Sequence, residues 1–193
     1  MVRKKLQFIY KFIVSKLFQI IYGKIVFSNQ NDSDVKLKDL NKDENYYKFI
    51  EINNGRIFTD YIEHVAIINK NQIMDFVSYQ QFKGEFKDPT FNVVIKKGTP
   101  KFKKKFNGRV FSLVQGASGN NNYFHWMFDI LPRLIILEKF YNLNDINFFY
   151  CPQIKPWQLS TLSIFNISDD KLINSNLHRH IQADKILAVS HPW

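Results

Sequence analysis

The sequence predicts an α/β fold built on a parallel sheet, and three observations carry that prediction. From Val110 onward, short β-branched and aromatic runs alternate with stretches of helical length: "RVFSLVQ", "YFHWMFDILPRLIILEKFY", "INFFY", "PWQLSTLSIFN", "KLINS" and "KILAVS". Alternation of this kind is the mark of parallel strands joined by helical crossovers. Ahead of it, "GRIFTDYIEHVAIINKNQIMDFVSYQ" holds two strand-like runs on either side of "NKNQ", a hairpin signal. The chain opens on a basic amphipathic helix.

Taken in order, the elements divide the chain in three. Residues 1–27 form the basic helix. Residues 28–48, "SNQNDSDVKLKDLNKDEN" with its borders, are polar, mixed in charge and aperiodic, and read as a linker. Residues 49–193 form the main domain: the hairpin strands, a turn at "KGEFKDPT", a short strand at "FNVVIKK", then the alternating units. The last residues, "VSHPW", follow directly on a strand. Two or three βαβ units make a thin domain, so a further half is expected to complete it.

Composition bounds the function. Of 193 residues, 45% are hydrophobic and 16% aromatic, with 19 Phe, enough for a packed core and unlike a disordered chain. A single cysteine, Cys151, excludes an internal disulfide and a multi-cysteine metal site, and fits a reducing, cytoplasmic compartment. It reads as a small buried hydrophobe, with nothing beside it to lower its pKa. The formal charge is +10, and the cations are grouped. Arg3, Lys4, Lys5, Lys11, Lys16 and Lys24 all precede the first acidic residue, Asp32, and a second group lies in "IKKGTPKFKKKFNGR". Blocks of positive charge favour anionic surfaces. The second block reads as a solvated basic strand or turn.

The first segment is no membrane span, because its longest uncharged run, Leu17 to Gly23, is far short of the roughly 20 residues a bilayer needs. No small-residue cleavage site follows, so a secretory signal is not indicated either. On a helical wheel Leu6, Ile9, Ile13, Leu17 and Ile20 share one side, with Lys4, Lys11, Ser15 and Gln19 on another. Two readings stand: a helix lying peripherally on an anionic membrane, on its inner face, or a helix packed on its own domain with lysines outward.

The chemistry-bearing stretch is "GNNNYFHWMFDILPRL", Gly119 to Leu134. Gly116 and Gly119 let backbone come close to a ligand, and Asn120, Asn121 and Asn122 offer helix caps whose amide oxygens accept from first-turn N–H groups. A strand, a glycine loop and a helix N-terminus form a generic anion site; the spacing G-x-x-G lacks the dinucleotide fingerprint. On the helix Asn122, His125, Asp129 and Arg133 recur at three, four and four residues and share one stripe. Phe124, Met127, Phe128, Ile130, Leu131, Leu134 and Ile135 are expected to be buried. Pro132 withholds a donor from the Phe128 carbonyl and predicts a kink. In structural terms Asp129 and Arg133 fit an ordinary i,i+4 pair and His125 a satisfied first-turn histidine. In functional terms His125 or Asp129 is a general base, while Asn122 and Arg133 orient substrate or hold charge. Trp126 reads first as core, with sugar stacking as the second option.

"NYFHWMFDILPRL" resembles the N-terminal signature of glycosyltransferase family 61, the capsular polysaccharide biosynthesis type, and the likeness runs from about Gly55 to "ADKILAVS". The resemblance implies a Rossmann-like N-terminal domain of a two-domain GT-B glycosyltransferase. It also implies an inverting reaction with a nucleotide-sugar donor and a glycan acceptor, and no further cofactor. By position it singles out Asn122, His125, Trp126, Asp129, Pro132 and Arg133. The family's second-half motif is not found in this chain, which reads as a truncated product, a fragment, or one chain of a split enzyme whose C-terminal half a separate chain supplies. No metal is called for: the one His-x-His, "HRH" at 178–180, reads as a solvated strand end. The competing classes are a non-catalytic glycan- or partner-binding module and a nucleic-acid binder. The latter is disfavoured because no nucleic-acid motif is present and the basic blocks lie away from the stripe.

Overall fold

The computed structural model describes residues 2–27, 34–42, 45–60, 65–78, 80–82, 85–87, 89–114 and 122–192. Its order begins with helix α1 (Val2–Tyr22), then strands β1 (Val26–Phe27), β2 (Val35–Lys42), β3 (Asn45–Asn53), β4 (Arg56–Thr59), β5 (Val65–Asn69) and β6 (Gln72–Ile73). A small hairpin, β7 (Gln80–Phe82) and β8 (Glu85–Lys87), leads to helix α2 (Val93–Lys97) and strand β9 (Lys104–Ser112). The central helical run is α3 (Tyr123–His125), a π-helical segment Trp126–Ile130, and α4 (Leu131–Leu137). Strand β10 (Phe148–Cys151), helix α5 (Pro156–Ser163), β11 (Leu172–Asn174) and β12 (His180–Val189) follow.

A mixed sheet organises the molecule, with strand order β1-β6-β5-β4-β12-β9-β10-β11; β3 also pairs with β12, and β2 with β3. Strands β12, β9, β10 and β11 run parallel to one another. The hairpin strands are antiparallel, and they join through β12, which meets β4 near His180 and β3 near its end. Strand β12 therefore has a partner on both sides along its length. Both of its faces are covered as well, Leu187 and Val189 in one cluster and Ile186 and Ala188 in the other, so this run is apolar without alternation and all buried.

Side chains of one strand divide between two cores because successive residues point to opposite faces. Phe111, Leu187 and Phe49 pack with Trp126, Leu134, Leu137 and Leu162 under the helices. Their neighbours Val110, Ile186 and Ile50 pack on the other face with Ile57, Val77 and Tyr150. A smaller cluster, Ile25, Phe58, Ile68 and Val94, lies near the N-terminal helix.

Three expectations change. Residues 35–42 of the expected linker are a strand, paired with β3 along its whole length. Its lysines and half-exposed Leu37 gave no burial signal, because an edge strand is held by backbone pairing and is often lysine-rich. "FNVVIKK" contains a short helix, not a strand. The Asn92 side chain accepts from the Val94 N–H at its start, and Gly98, at φ 66°, ends it, so the caps outweigh the β-branched pair Val93–Val94. His180 of the "HRH" stretch is buried, with Nε2 against the Arg56 guanidinium at 3.3 Å and Nδ1 on the Lys101 carbonyl at 2.9 Å. The hairpin at "NKNQ" is present, with Asn69 opposite Gln72 and Lys70 at φ 50°. The basic first half of β9 is largely exposed and its apolar second half buried. Cys151 is fully buried.

Candidate functional site

The site lies at the carboxyl edge of the parallel strands. Strand β9 runs on through Leu113 and Val114, and β12, its parallel neighbour, ends at Val189. From β9 the chain moves outward to β10 and β11, then returns past β9 to β12. The order thus reverses between β9 and β12. Open α/β sheets place their ligands beyond the carboxyl ends of the strands at such a reversal.

The helical run starts at this edge of the sheet. Asn122 caps it, its side-chain oxygen accepting from the Phe124 N–H at 2.9 Å. Pro132 has no N–H to return to Phe128, and its ring crowds that carbonyl. The helix takes a wider turn there: Trp126–Ile130 is π-helical and the Leu131 N–H reaches back five residues to the Trp126 carbonyl. Turns of this kind are frequent at functional positions, because they re-aim the side chains that follow.

Which face is buried differs from the wheel prediction. Trp126, Ile130, Leu134 and Leu137 enter the core, and Asp129 and Arg133, lying beside them on the wheel, sink with them. Met127 is half-buried, whereas Phe124, Phe128 and Ile135 are exposed along with Tyr123. The largest apolar side chain set the inward face, and the polar stripe flanked it.

The predicted residues accordingly part company. Asp129 is fully buried, while the His125 side chain keeps 22% of its surface open. The His125 Nδ1 lies 2.6 Å from Asp129 Oδ2, a short charge-assisted contact that fixes the ring and sets Nδ1 as the donor. His191 brings its Nε2 to 3.8 Å from the other carboxylate oxygen. Arg133 is fully buried and reaches the Leu113 carbonyl at 3.5 Å, so it tethers the end of β9 instead of facing a substrate. Trp126 is fully buried, its Nε1–H donating to the Thr161 hydroxyl at 2.8 Å, and it cannot stack on a sugar from there. Asn122 is exposed but its carbonyl oxygen is committed to the cap. Gly116, Gly119 and Asn121, expected to approach a ligand, lie outside the described residues.

His191 was missed by sequence reasoning. The signal was nonetheless there: a histidine two residues past an apolar strand sits at a carboxyl edge, where α/β sheets place their ligands. What a single sequence does not show is that β12 returns next to β9. Among the described residues no group of three or more His, Cys, Asp or Glu is arranged to hold a metal ion.

Chemically, a carboxylate on Nδ1 leaves Nε2 as the lone pair of the neutral His125 ring, the arrangement by which an imidazole takes a proton from a hydroxyl. Asp129 has no exposed surface with which to do so itself. Fold and site together define a mixed α/β domain with a carboxylate-held histidine at a strand reversal. No family model, curated protein or solved structure matches the chain.

Proposed function

We propose that this chain carries the acceptor-side site of an inverting glycosyltransferase of the GT-B type, with a Rossmann-like sheet in β9 to β12. The observation that carries the reading is the 2.6 Å Asp129–His125 contact at the carboxyl edge of the parallel strands. The likeness of "NYFHWMFDILPRL" to the family 61 signature supports it. In this reading His125 Nε2 takes the proton of an acceptor sugar hydroxyl as its oxygen bonds to the anomeric carbon of a nucleotide-sugar. The bond from that carbon to the phosphate oxygen breaks, and the nucleoside diphosphate leaves with the electron pair. Asp129 steadies the imidazolium that forms. The donor's nucleotide is the concern of residues outside the described site. The pathway class is assembly of a surface or capsular polysaccharide.

Incubation with nucleotide-sugars and oligosaccharide acceptors, following nucleoside diphosphate release, tests the reading. Release that depends on acceptor and disappears in His125→Ala supports it; equal release by the variant defeats it.

A non-catalytic glycan-binding role is the second reading, favoured by the exposed rings of Tyr123, Phe124 and Phe128 along the same helical run. Acceptor binding that survives His125→Ala, with no turnover in either protein, selects it.

A further inference from the structure

Helix α1 is set on the domain in an unexpected way. Its contact lies near its C-terminal end: Phe18 is buried and meets the Phe102 ring edge-on at 5.1 Å, and the Tyr22 hydroxyl accepts from the Lys103 N–H at 3.0 Å. The Gln19 amide donates to the Lys96 carbonyl at 3.3 Å. Successive residues of a helix are separated by about 100°, so the apolar stripe at 6, 9, 13, 17 and 20 lies roughly opposite Phe18 and Tyr22. It is turned outward. Leu6 is 62% exposed, Ile9 52%, Ile13 58%, Leu17 51% and Ile20 82%. Helix α1 is thus packed on its own domain with lysines exposed, as one of the two readings had it, but through Phe18 and Tyr22, and the apolar stripe is left on the other side.

We infer that the outward stripe of α1 docks the protein on an anionic bilayer surface. Charge decides the occupant. Arg3, Lys4, Lys5, Lys11, Lys16 and Lys24 lie in or beside the helix, with no acidic residue before Asp32. On the wheel Lys5 and Lys16 border the stripe on one side and Arg3 on the other, where a lipid phosphate layer would meet them as the stripe enters the acyl boundary. A second copy of so cationic a segment would be repelled, whereas a membrane carrying acidic headgroups attracts it. Behind α1, a groove of about 720 Å³ is lined by Lys96, Lys97 and Lys101 beside Phe12 and Phe102, with Asp60 pairing Lys97 at 3.4 Å. The helix lies on the surface and does not cross it: no helix among the described residues is long and apolar enough to span a membrane. This inference does not depend on the transferase reading.

Flotation of the full chain with vesicles of phosphatidylcholine alone, and of phosphatidylcholine with phosphatidylglycerol, tests it. The chain is expected to float with the anionic vesicles and much less with the neutral ones. The triple variant Ile9→Asn, Ile13→Asn, Ile20→Asn should bind them about 10-fold less or weaker still, since each position gives up its apolar burial. Because these side chains touch solvent in the free protein, its unfolding midpoint should stay at the wild-type value. The pair Lys5→Glu, Lys16→Glu should lose binding as well, and raised salt should mimic it. Undiminished flotation of the triple variant overturns the inference, as does equal binding to neutral vesicles. So does a wild-type dimer that ignores vesicles and falls apart on the triple substitution, which would make the stripe a self-association surface.

Discussion

Asp129 holds His125 from beneath, carboxylate Oδ2 to imidazole Nδ1 at 2.6 Å, with the acid sealed and the base partly exposed. This contact assigns the two residues separate roles that their spacing alone left interchangeable. In the proposed transfer His125→Ala should lower turnover by about 10²- to 10⁴-fold, the usual worth of a positioned general base. Asp129→Asn keeps the volume but withdraws the charge that orients the ring, and should lower turnover while leaving acceptor affinity nearly unchanged. Steady-state rates of nucleoside diphosphate release check both. Wild-type turnover in either variant would remove the corresponding role.

Trp126 makes a structural prediction that the same helix can test. Its indole is sealed in the core and donates to Thr161, whose hydroxyl in turn donates to the Gln158 carbonyl at 2.7 Å. Trp126→Ala should destabilise the fold by about 3–5 kcal/mol through the cavity it leaves. Thr161→Val removes only the hydroxyl's hydrogen bonds and should cost about 1–2 kcal/mol. Denaturant unfolding gives both values. A Trp126→Phe protein with near-native stability but weakened glycan affinity would mean that the indole meets the sugar after all.

Cys151 should behave as an inert thiol. Burial, helped by the nearby Asp169 charge, pushes it up to about 12, so almost no thiolate forms at neutral pH. Labelling by iodoacetamide should be negligible in the native protein and appear with the denaturant transition. Rapid native labelling would show that this part of β10 opens locally.

The parts of the fold legible in the sequence were those in which apolar pattern and element coincide. The strand at Phe148–Cys151, the helix beginning at Pro156, and the hairpin at Asn69–Gln72 are of this sort. Strand β2 was hidden because it contributes few buried side chains, and α2 because its caps, not its β-branched residues, decide its state. At the site, the spacing of His125, Asp129 and Arg133 marked the right helix. It did not show depth: the wheel places those residues together, but only Trp126's entry into the core fixes which of them sink. His191 depended on strand order, a long-range property that local pattern does not encode.

The acid side of the stability profile should fall in two steps, the first belonging to His180. Burial lowers this histidine from 6.5 to about 4, with the Arg56 and Lys103 charges acting in the same direction against the Lys101 carbonyl. The geometry agrees: Nδ1–H donates to Lys101, so Nε2 must remain unprotonated to receive the Arg56 Nη1–H. Because the unfolded chain binds this proton more readily than the folded one, stability is full above about 6.5 and declines as pH falls toward about 4. Below that both states are protonated and the decline stops. The total is on the order of 3 kcal/mol. Glu51 supplies the second step. Burial alone would raise its carboxyl, but the Lys185 ammonium at 2.8 Å and the Tyr141 hydroxyl outweigh it and hold the group below its usual 4.5. Its contribution is present above about 4.5 and is lost as pH falls below that. Urea unfolding at a series of pH values should show the first slope vanish in His180→Gln and the second in Glu51→Gln. A His180→Gln protein with the wild-type slope between about 6.5 and 4 would show that the Arg56–His180 contact is not what the acid disrupts.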